Sequence, residues 1–240
     1  MVNVLLISPP FKGLLREPIG LYYLAGVLKA NGISTVLIDF NIESPTRSGF
    51  RRYLKKLKPK IVGVTSYTFN FSAAKKIIEE IKLTEPKIVT VMGGVHASAL
   101  PEEILYNTPA LDFVVVGEGE LTFLELCRRI LNEERVNDIR GIALRGEKVI
   151  VNPSRELIKN IDTLPFPDRE LLPFNKYPIA TVQTSRGCPY GCIFCNINSF
   201  YGGKIRLRNP KKVIEECSTL IERYGREKIY FFGDSFTFSS

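Results

Sequence analysis

The chain has 240 residues, of which 45% are hydrophobic and 24% charged, a composition typical of globular rather than disordered proteins. No apolar stretch approaches the roughly 20 residues that cross a bilayer, and the N-terminal apolar run is too short for a secretory signal, so a cytoplasmic protein is expected. The formal net charge of +8 would suit a polyanion, but no long Lys/Arg tract or nucleic-acid motif supports such a partner.

Short, nearly continuous apolar segments recur along the first part of the chain, as expected of strands covered on both faces of a parallel sheet. The predicted strands are Val2–Ile7, Thr35–Asp39, Ile61–Thr65, Ile88–Met92 and Phe113–Val116. Amphipathic segments with helical spacing lie between them, and the first of these ends at Asn31-Gly32, a typical helix stop. The alternation predicts an α/β fold: a doubly wound, parallel, five-stranded, Rossmann-like sheet over residues 1–137, with ligands outside the carboxyl ends of its strands.

Residues 138–177 are predicted to connect two domains. Ile139–Leu144 and Val149–Val151 indicate a β-hairpin, and the Pro-rich stretch that follows predicts an extended linker because proline disfavours helix. Residues 178–240 then begin a second domain. Its predicted elements are a strand, a helix and a strand, at Ile179–Thr184, about Pro210–Tyr224, and Lys228–Phe232.

Three of the five cysteines are crowded into one short segment after the strand that opens the second domain: Cys188, Cys192 and Cys195. An odd number of cysteines with this crowding argues against a disulfide framework and for metal ligation. Three thiolates suit a [4Fe–4S] cluster with one iron left open. Zinc is the alternative, but structural zinc needs four ligands, and the only histidine, His96, lies in the other domain. Cys127 and Cys217 lie within helical patterns and are expected to be ordinary buried cysteines.

The C-x3-C-x2-C spacing, with an aromatic residue before the third cysteine, resembles the radical S-adenosylmethionine (SAM) superfamily. The wider string Ser185–Cys195 is similar to that of the branch with an N-terminal cobalamin (B12)-binding domain of flavodoxin-like type, which includes the anaerobic Mg-protoporphyrin cyclase and hopanoid-modifying enzymes. Further segments resemble the first helix, two sheet-edge loops and the interdomain linker of that branch: Pro18–Leu21, Gly93–Ala97, Gly117–Glu120 and Leu164–Pro173. The resemblance covers essentially the whole chain, and the cysteine motif is its most specific part.

The resemblance implies that the three thiolates hold a [4Fe–4S] cluster whose open iron binds SAM through its amino and carboxylate groups. An electron from the cluster would then break the sulfonium C–S bond and yield a 5′-deoxyadenosyl radical. It also implies SAM contacts at Phe194, Gly233 and Asp234: an aromatic ring for adenine, a glycine for close approach and a carboxylate for the ammonium. An ordinary core phenylalanine and a turn-capping aspartate are the alternatives.

The same resemblance implies cobalamin at the carboxyl edge of the sheet. The candidate contacts follow the third, fourth and fifth strands: Ser66, Gly93, Gly94, Val95, His96, Gly117 and Glu118. The alternative is that these glycines only form turns between strand and helix. Cobalamin domains of the methionine-synthase type carry an Asp-x-His-x-x-Gly motif after the first strand, whereas Ser8–Gly13 contains no histidine. Cobalamin is therefore expected here without a protein histidine on cobalt.

Only residues 196–240 follow the last cysteine, whereas a full barrel of this family needs several more βα units. The chain is therefore expected to be C-terminally truncated, or to be completed by a second polypeptide. A small-molecule substrate and a reducing electron-donor protein are the other expected partners.

The leading functional interpretation is an enzyme, or enzyme fragment, that uses the radical for methyl transfer, cyclisation or rearrangement of a small molecule. Two other interpretations stay open: a cobalamin- or nucleotide-binding module with an inert, incomplete barrel, and a simple iron–sulfur electron carrier. Cleavage of SAM discriminates among them, because only the enzyme performs it.

Overall fold

The structure is a computed structural model that describes residues 2–11, 13 and 15–236. Its main sheet begins with five parallel strands, β1 to β5: Val4–Ser8, Thr35–Asp39, Ile61–Thr65, Val89–Gly93 and Phe113–Val115. They lie in the order β2-β1-β3-β4-β5. The order reverses between β1 and β3, and ligands bind at such switch points. The predicted doubly wound parallel sheet is confirmed.

Six helices accompany these strands, α1 to α6: Ile19–Ala30, Arg47–Leu57, Phe71–Thr84, Val95–Ala99, Pro101–Asn107 and Gly119–Leu131. Helices α1 and α6 cover one face of the sheet and α2, α3 and α5 the other, each over its own apolar core. Helix α1 ends before Gly32, whose φ is +73°, as the sequence predicted. The two short helices after β4 were not predicted, because five and seven residues are too few to show helical periodicity.

The predicted hairpin extends the main sheet. Strand β6 (Ile142–Arg145) pairs antiparallel with β5, and β7 (Val149–Val151) pairs antiparallel with β6. The sheet therefore has seven strands, of which the last two are antiparallel. The hairpin covers the edge of β5, which would otherwise expose unpaired backbone groups.

The Pro-rich segment differs from the predicted extended linker. It forms three short 3₁₀ turns, at Ile161–Thr163, Arg169–Leu171 and Phe174–Lys176. The fixed φ of proline suits such turns as well as extended chain. Tyr177 is fully buried, and its hydroxyl donates a hydrogen bond of 2.7 Å to Asp39 at the end of β2. Leu172 and Phe174 are buried in the same core cluster as Tyr177, so this part of the segment packs as part of the core.

The second part of the chain starts a new parallel pair of strands. Its elements in chain order are β8 (Ala180–Gln183), β9 (Ser185–Arg186), α7 (Ile197–Tyr201), β10 (Arg206–Leu207), α8 (Pro210–Glu222) and β11 (Ile229–Phe232). Strands β8 and β11 are parallel, and β9 and β10 form a short antiparallel ribbon on either side of the cysteine loop. None of the helices in the described ranges is long and apolar enough to cross a membrane.

Candidate functional site

A cavity of about 240 Å³ opens at the carboxyl edge of the main sheet, where the sheet meets the second part of the chain. Its walls come from the loops after β3, β4 and β5, from α1, and from α7 and the ends of β8, β9 and β11. Six of the cofactor contacts predicted from the sequence line it: Gly93, Gly94, Val95, Gly117, Glu118 and Asp234. The volume is below the roughly 300–1,000 Å³ of typical ligand pockets. A larger ligand would therefore fill the cavity with one part and extend outwards.

Gly94 brings the loop after β4 against the loop after β3. Its φ is +94°, and a Cβ built there would lie 2.7 Å from the carbonyl oxygen of Ser66. Ser66 is buried, and its N–H and hydroxyl both donate to the carbonyl oxygen of Gly93, at 2.8 and 3.1 Å. The Ser66 hydroxyl is thus already bonded within the protein. The loop after β4 presents the backbone of Gly93 and Gly94 to the cavity.

Gly94→Ala is expected to destabilise the chain by about 2–4 kcal/mol, because left-handed backbone strain adds to a close contact with the Ser66 carbonyl oxygen. Gly117→Ala is the matched control, since Gly117 has a similar φ of +80° but open space around its Cβ position. The control should lose only about 1–2 kcal/mol. Urea unfolding monitored by circular dichroism measures both losses. Equal losses would show that the Ser66 contact is not what requires glycine at position 94.

His96 lies behind the cavity and does not line it. Its ring is 4.5 Å from that of Phe71, and its Nδ1 is 3.2 Å from the Thr68 hydroxyl oxygen. The predicted cobalamin residues therefore divide into those at the cavity wall and two supporting residues, Ser66 and His96, in the layer behind it. Of the loop after β1, Lys12 lies outside the described residues.

The cysteine loop exposes its thiols and its apolar side chains. Cys192 and Cys195 are exposed and Cys188 is half-buried, and the Cys195 N–H donates to the Cys192 carbonyl oxygen at 3.1 Å. The Phe194 side chain is 90% exposed and does not line the cavity. Within the ranges that the structure describes, no three His, Cys, Asp or Glu side chains converge closely enough to hold a metal ion. All three thiols belong to one loop. The loop would have to change its conformation and bring the three sulfur atoms closer to one another before they could bind one cluster.

Gly233 and Asp234 follow β11 and lie beside the first residue of the cysteine loop. The Asp234 Oδ2 accepts a 2.7 Å hydrogen bond from the Gly187 N–H. A Cβ at Gly233 would collide with the hydroxyl of Ser185, so this close approach of two strand ends requires glycine. Asp234 therefore both lines the cavity and fastens the base of the cysteine loop.

Glu118 binds two arginines that flank the cysteine loop. Its side chain is 6% exposed, and its Oε1 is 2.9 Å from Nη1 of both Arg186 and Arg206. Its Oε2 accepts from Arg206 and from the Ile158 N–H, each at 2.8 Å. Burial by itself would raise the pKa of Glu118, but hydrogen bonds from Arg206 and Arg186 hold that pKa below its usual value. The carboxylate is thus an internal anion that joins sheet, linker and cysteine loop.

A second buried ion cluster joins the start of α1, the Pro-rich segment and α8. Arg169 lies between two carboxylates, with its Nε 3.0 Å from Glu17 and its Nη1 2.9 Å from Glu216, and none of the three side chains is more than 4% exposed. Glu17 also accepts from the Thr181 N–H on β8. Burial raises the pKa of Glu17 above its ordinary value despite the Arg169 charge. Sequence reasoning missed this cluster, because charged residues in a Pro-rich stretch look like a solvated loop.

The residues present fit the cofactors that the sequence resemblance implies. Glycine backbone at Gly94 and Gly117 leaves the sheet edge open to a large ligand. The cysteine loop carries three soft sulfur donors, of which two are exposed and one is half-buried. Burial raises the pKa of the Cys127 thiol, which disfavours the thiolate that metal binding needs. Asp234 presents a carboxylate at the same cavity, a match for an ammonium group.

Two family models match the chain. The model described as B12 binding domain matches residues 13–127, and the model described as Radical SAM superfamily matches residues 182–240. The first match begins after β1 and contains β2 to β5 and most of α6, and the second begins in β8 and contains the cysteine loop.

Similar proteins are methyltransferases and cyclases. The chain is 35% identical, over 99% of its length, to an uncharacterized methyltransferase of Pyrococcus horikoshii, of which it spans 54%. It is 33% identical, over 86% of its length, to the anaerobic magnesium-protoporphyrin IX monomethyl ester cyclase of Rubrivivax gelatinosus, of which it spans 39%. The chain therefore spans about half or less of the length of these relatives.

Solved structures share the fold over nearly the whole chain. The radical SAM methyltransferase TsrM from Kitasatospora setae, with tryptophan and a SAM analogue bound, matches with a TM-score of 0.83 at 19% identity, over 99% of this chain and 48% of that one. The cobalamin-dependent SAM radical enzyme OxsB, with aqua-cobalamin bound, matches with a TM-score of 0.84 at 22% identity, over 98% of this chain and 34% of that one. At these identities the likeness concerns the fold alone.

Proposed function

The chain belongs to the cobalamin-binding branch of the radical SAM superfamily, and from this premise we propose that it is the cofactor-binding portion of a radical enzyme. The substrate is a small molecule, and the reaction is a methyl transfer, a cyclisation or a rearrangement. In this proposal the cysteine loop binds a [4Fe–4S] cluster, SAM binds between that loop and the end of β11, and cobalamin binds at the carboxyl edge of the sheet.

Each cofactor has a defined set of proposed residues. The cluster ligands are Cys188, Cys192 and Cys195, and the SAM contacts are Phe194, Gly233 and Asp234. The cobalamin edge consists of Gly93, Gly94, Val95, Gly117 and Glu118, with Ser66 and His96 supporting it from behind. The chemistry that these groups supply when bound is the one-electron cleavage of SAM to methionine and a 5′-deoxyadenosyl radical, with cobalamin as the carrier in methyl transfer.

The chain's own residues would bind and orient these groups. Asp234 would pair with the SAM ammonium, and Gly233 would let backbone approach the ligand closely. Phe194 is turned to solvent, so it would have to swing inwards to cover an adenine ring. The apolar lining from α1 and β3 would exclude water from the space between the ligands.

One observation carries the proposal: the glycine loops of the sheet edge and Asp234 line the same cavity. Ligands held at these two places would therefore share one space. Transfer of a group or a radical between bound molecules requires such proximity. An isolated binding module or a simple electron carrier would not need it. The electron-donor protein and a second polypeptide that completes the barrel stay predictions.

The test is an anaerobic reconstitution of the chain with iron and sulfide, followed by reduction and EPR spectroscopy with and without SAM. The proposal expects a [4Fe–4S]⁺ signal that changes shape when SAM is added, because an open iron binds it. Asp234→Asn serves as the variant, and it should weaken the effect of SAM without removing the cluster. Lys60→Gln is the control, because Lys60 is exposed and lies directly before β3, at the edge of the sheet opposite the cavity.

Each other outcome selects a different function. A cluster whose spectrum ignores SAM would leave an electron carrier or an inert fragment. Cobalamin binding without any cluster, seen as a shift of the corrin absorbance, would leave a binding module. Either result overturns the enzyme proposal.

A further inference from the structure

Two arginines lie directly opposite each other at the base of the cysteine loop. Arg186 on β9 and Arg206 on β10 are register partners in the antiparallel ribbon. Like charges in such a pair repel each other and destabilise the pairing. The side chains are nonetheless only 5% and 10% exposed, so solvent does not screen the repulsion. The ribbon therefore needs a shared anion.

Glu118 supplies that anion from the other part of the molecule. Its Oε1 is 2.9 Å from Nη1 of each arginine, and its Oε2 accepts from Arg206 at 2.8 Å. Glu120 adds a second carboxylate, which accepts from Nη2 of Arg186 at 2.6 Å. The two ends of the loop over residues 187–205 are thereby tied to the start of α6, at the carboxyl edge of the main sheet.

We infer that Glu118 is a positioning residue for the metal-binding loop: its carboxylate binds the arginines at both ends of the cysteine loop and so joins both ends to the cobalamin-type sheet domain. The role rests on the proposed function only in calling the loop metal-binding. It makes the sheet domain a part of the cluster site in addition to a holder of its own ligand. The contact also places the loop beside the cavity that Glu118 lines.

The arrangement predicts a local effect when the carboxylate is neutralised. Glu118→Gln keeps the shape of the side chain but removes its negative charge. The two facing, buried guanidinium groups of Arg186 and Arg206 then lose the carboxylate that they share. Loss of charge-assisted hydrogen bonds of this kind should open the ribbon about ten- to a hundredfold more often. The parallel strands β1 and β3 do not depend on Glu118 and should keep their protection.

Hydrogen–deuterium exchange on the chain without metal measures this opening. Exchange of residues 185–207 should accelerate by that factor in Glu118→Gln, with β1 and β3 unchanged. Glu80→Gln is the matched control, because Glu80 also binds two arginines, Arg47 and Arg51, but on α2 at the opposite face of the sheet. An unchanged loop in Glu118→Gln, or equal acceleration throughout the chain, would overturn the inference.

A double variant separates positioning from a general loss of structure. Glu118→Gln combined with Arg206→Gln removes the uncompensated charge and lets two amides pair, so loop protection should largely return. Should Glu118→Gln fail to fold, Arg206→Gln alone keeps the question decidable, because it unties only the second end of the loop. In that variant residues 200–207 should exchange faster than residues 185–188. Equal exchange at the two ends would count against a positioning role for Glu118.

A spectroscopic measurement tests whether the contacts of Glu118 with Arg186 and Arg206 affect the proposed metal site. After reconstitution, Glu118→Gln should give a broader EPR signal than the unaltered chain or Glu80→Gln, because the three thiols are held less uniformly. An identical signal in all three would contradict a positioning role. Failure of the unaltered chain to form any cluster would refute the proposed function, whereas the exchange result would still decide whether Glu118 fixes the loop.

Discussion

Replacing Cys192 by alanine should reduce the iron and sulfide bound by the reconstituted chain to background, with loss of the broad visible absorbance of the cluster. The same result is expected for Cys188→Ala and Cys195→Ala, because three thiolates are the minimum set that holds a [4Fe–4S] cluster with one open iron. Cys192 is exposed, so its replacement removes a proposed ligand without opening a core. The circular dichroism spectrum should therefore stay unchanged.

Cys217→Ala is the control for the loss of a ligand. Cys217 is the nearest other cysteine along the chain, on α8, and burial raises the pKa of its thiol. A thiol held protonated is a poor metal ligand, so this variant should keep full iron content. Retention of the cluster in any one of the three loop variants would contradict the assignment, as would its loss in Cys217→Ala.

Arg169→Ala should lower the free energy of unfolding by about 3–5 kcal/mol, because it leaves the buried carboxylate of Glu17 without its cation and leaves Glu216 paired with Arg208 alone. Glu17 is fully buried as a side chain and Glu216 nearly so, at 0% and 2% exposure. Arg169 contacts both carboxylates, and Glu216 also pairs with Arg208. The loss should be seen in urea unfolding at neutral pH. Because Glu17 lies before α1 and Glu216 on α8, fluorescence of tyrosines in both parts of the chain should report the same weakened transition.

A surface ion pair gives the matched comparison. Arg223 pairs with Glu170, the residue that follows Arg169 in the chain, but these side chains are 64% and 53% exposed. Arg223→Ala should therefore cost less than about 1 kcal/mol. Replacing Arg169 by methionine and Glu17 by glutamine removes this pair of buried charges together, while Glu216 keeps its pair with Arg208, and should recover most of the stability lost in Arg169→Ala. A similar loss for Arg223→Ala and Arg169→Ala would refute the argument from burial.

The strands of the main sheet were predictable from the sequence because the signal for a buried strand is local. Ile61–Thr65 is apolar along its length and is bounded by polar or proline-rich sequence, so its limits match those predicted. The short helix Val95–Ala99 was not predictable, since it is set by the turn at Gly94. The packing of the Pro-rich segment was also hidden, because it depends on burial of Tyr177 against β2 rather than on proline itself.

The candidate site was predictable only in part. The cysteine spacing and the glycines after β4 and β5 are short motifs that can be recognised along the chain, and the glycines and Asp234 do meet at one cavity. The pairing of Glu118 with Arg186 and Arg206 was not predictable, because these two arginines lie 68 and 88 residues further along the chain. No sequence periodicity encodes a contact of that kind. Glu118 was therefore expected at the cofactor, whereas its carboxylate is bound by arginine.

The buried partnership of Glu17 with Arg169 has a consequence for synthesis of the chain on the ribosome. The two residues are 152 positions apart, so at about 5–20 residues per second Glu17 is synthesised roughly 8 to 30 seconds before Arg169. Strand β1 precedes Glu17, and β2 to β5 are made within that interval, so we expect the nascent sheet to form first, with Glu17 still hydrated. Docking of the segment around Arg169 then buries the Glu17 carboxylate and attaches the second part of the chain to a main sheet that has already formed. Nascent chains halted before and after Arg169 should differ sharply in resistance to protease near residue 17, whereas equal resistance would show that the order of assembly is different.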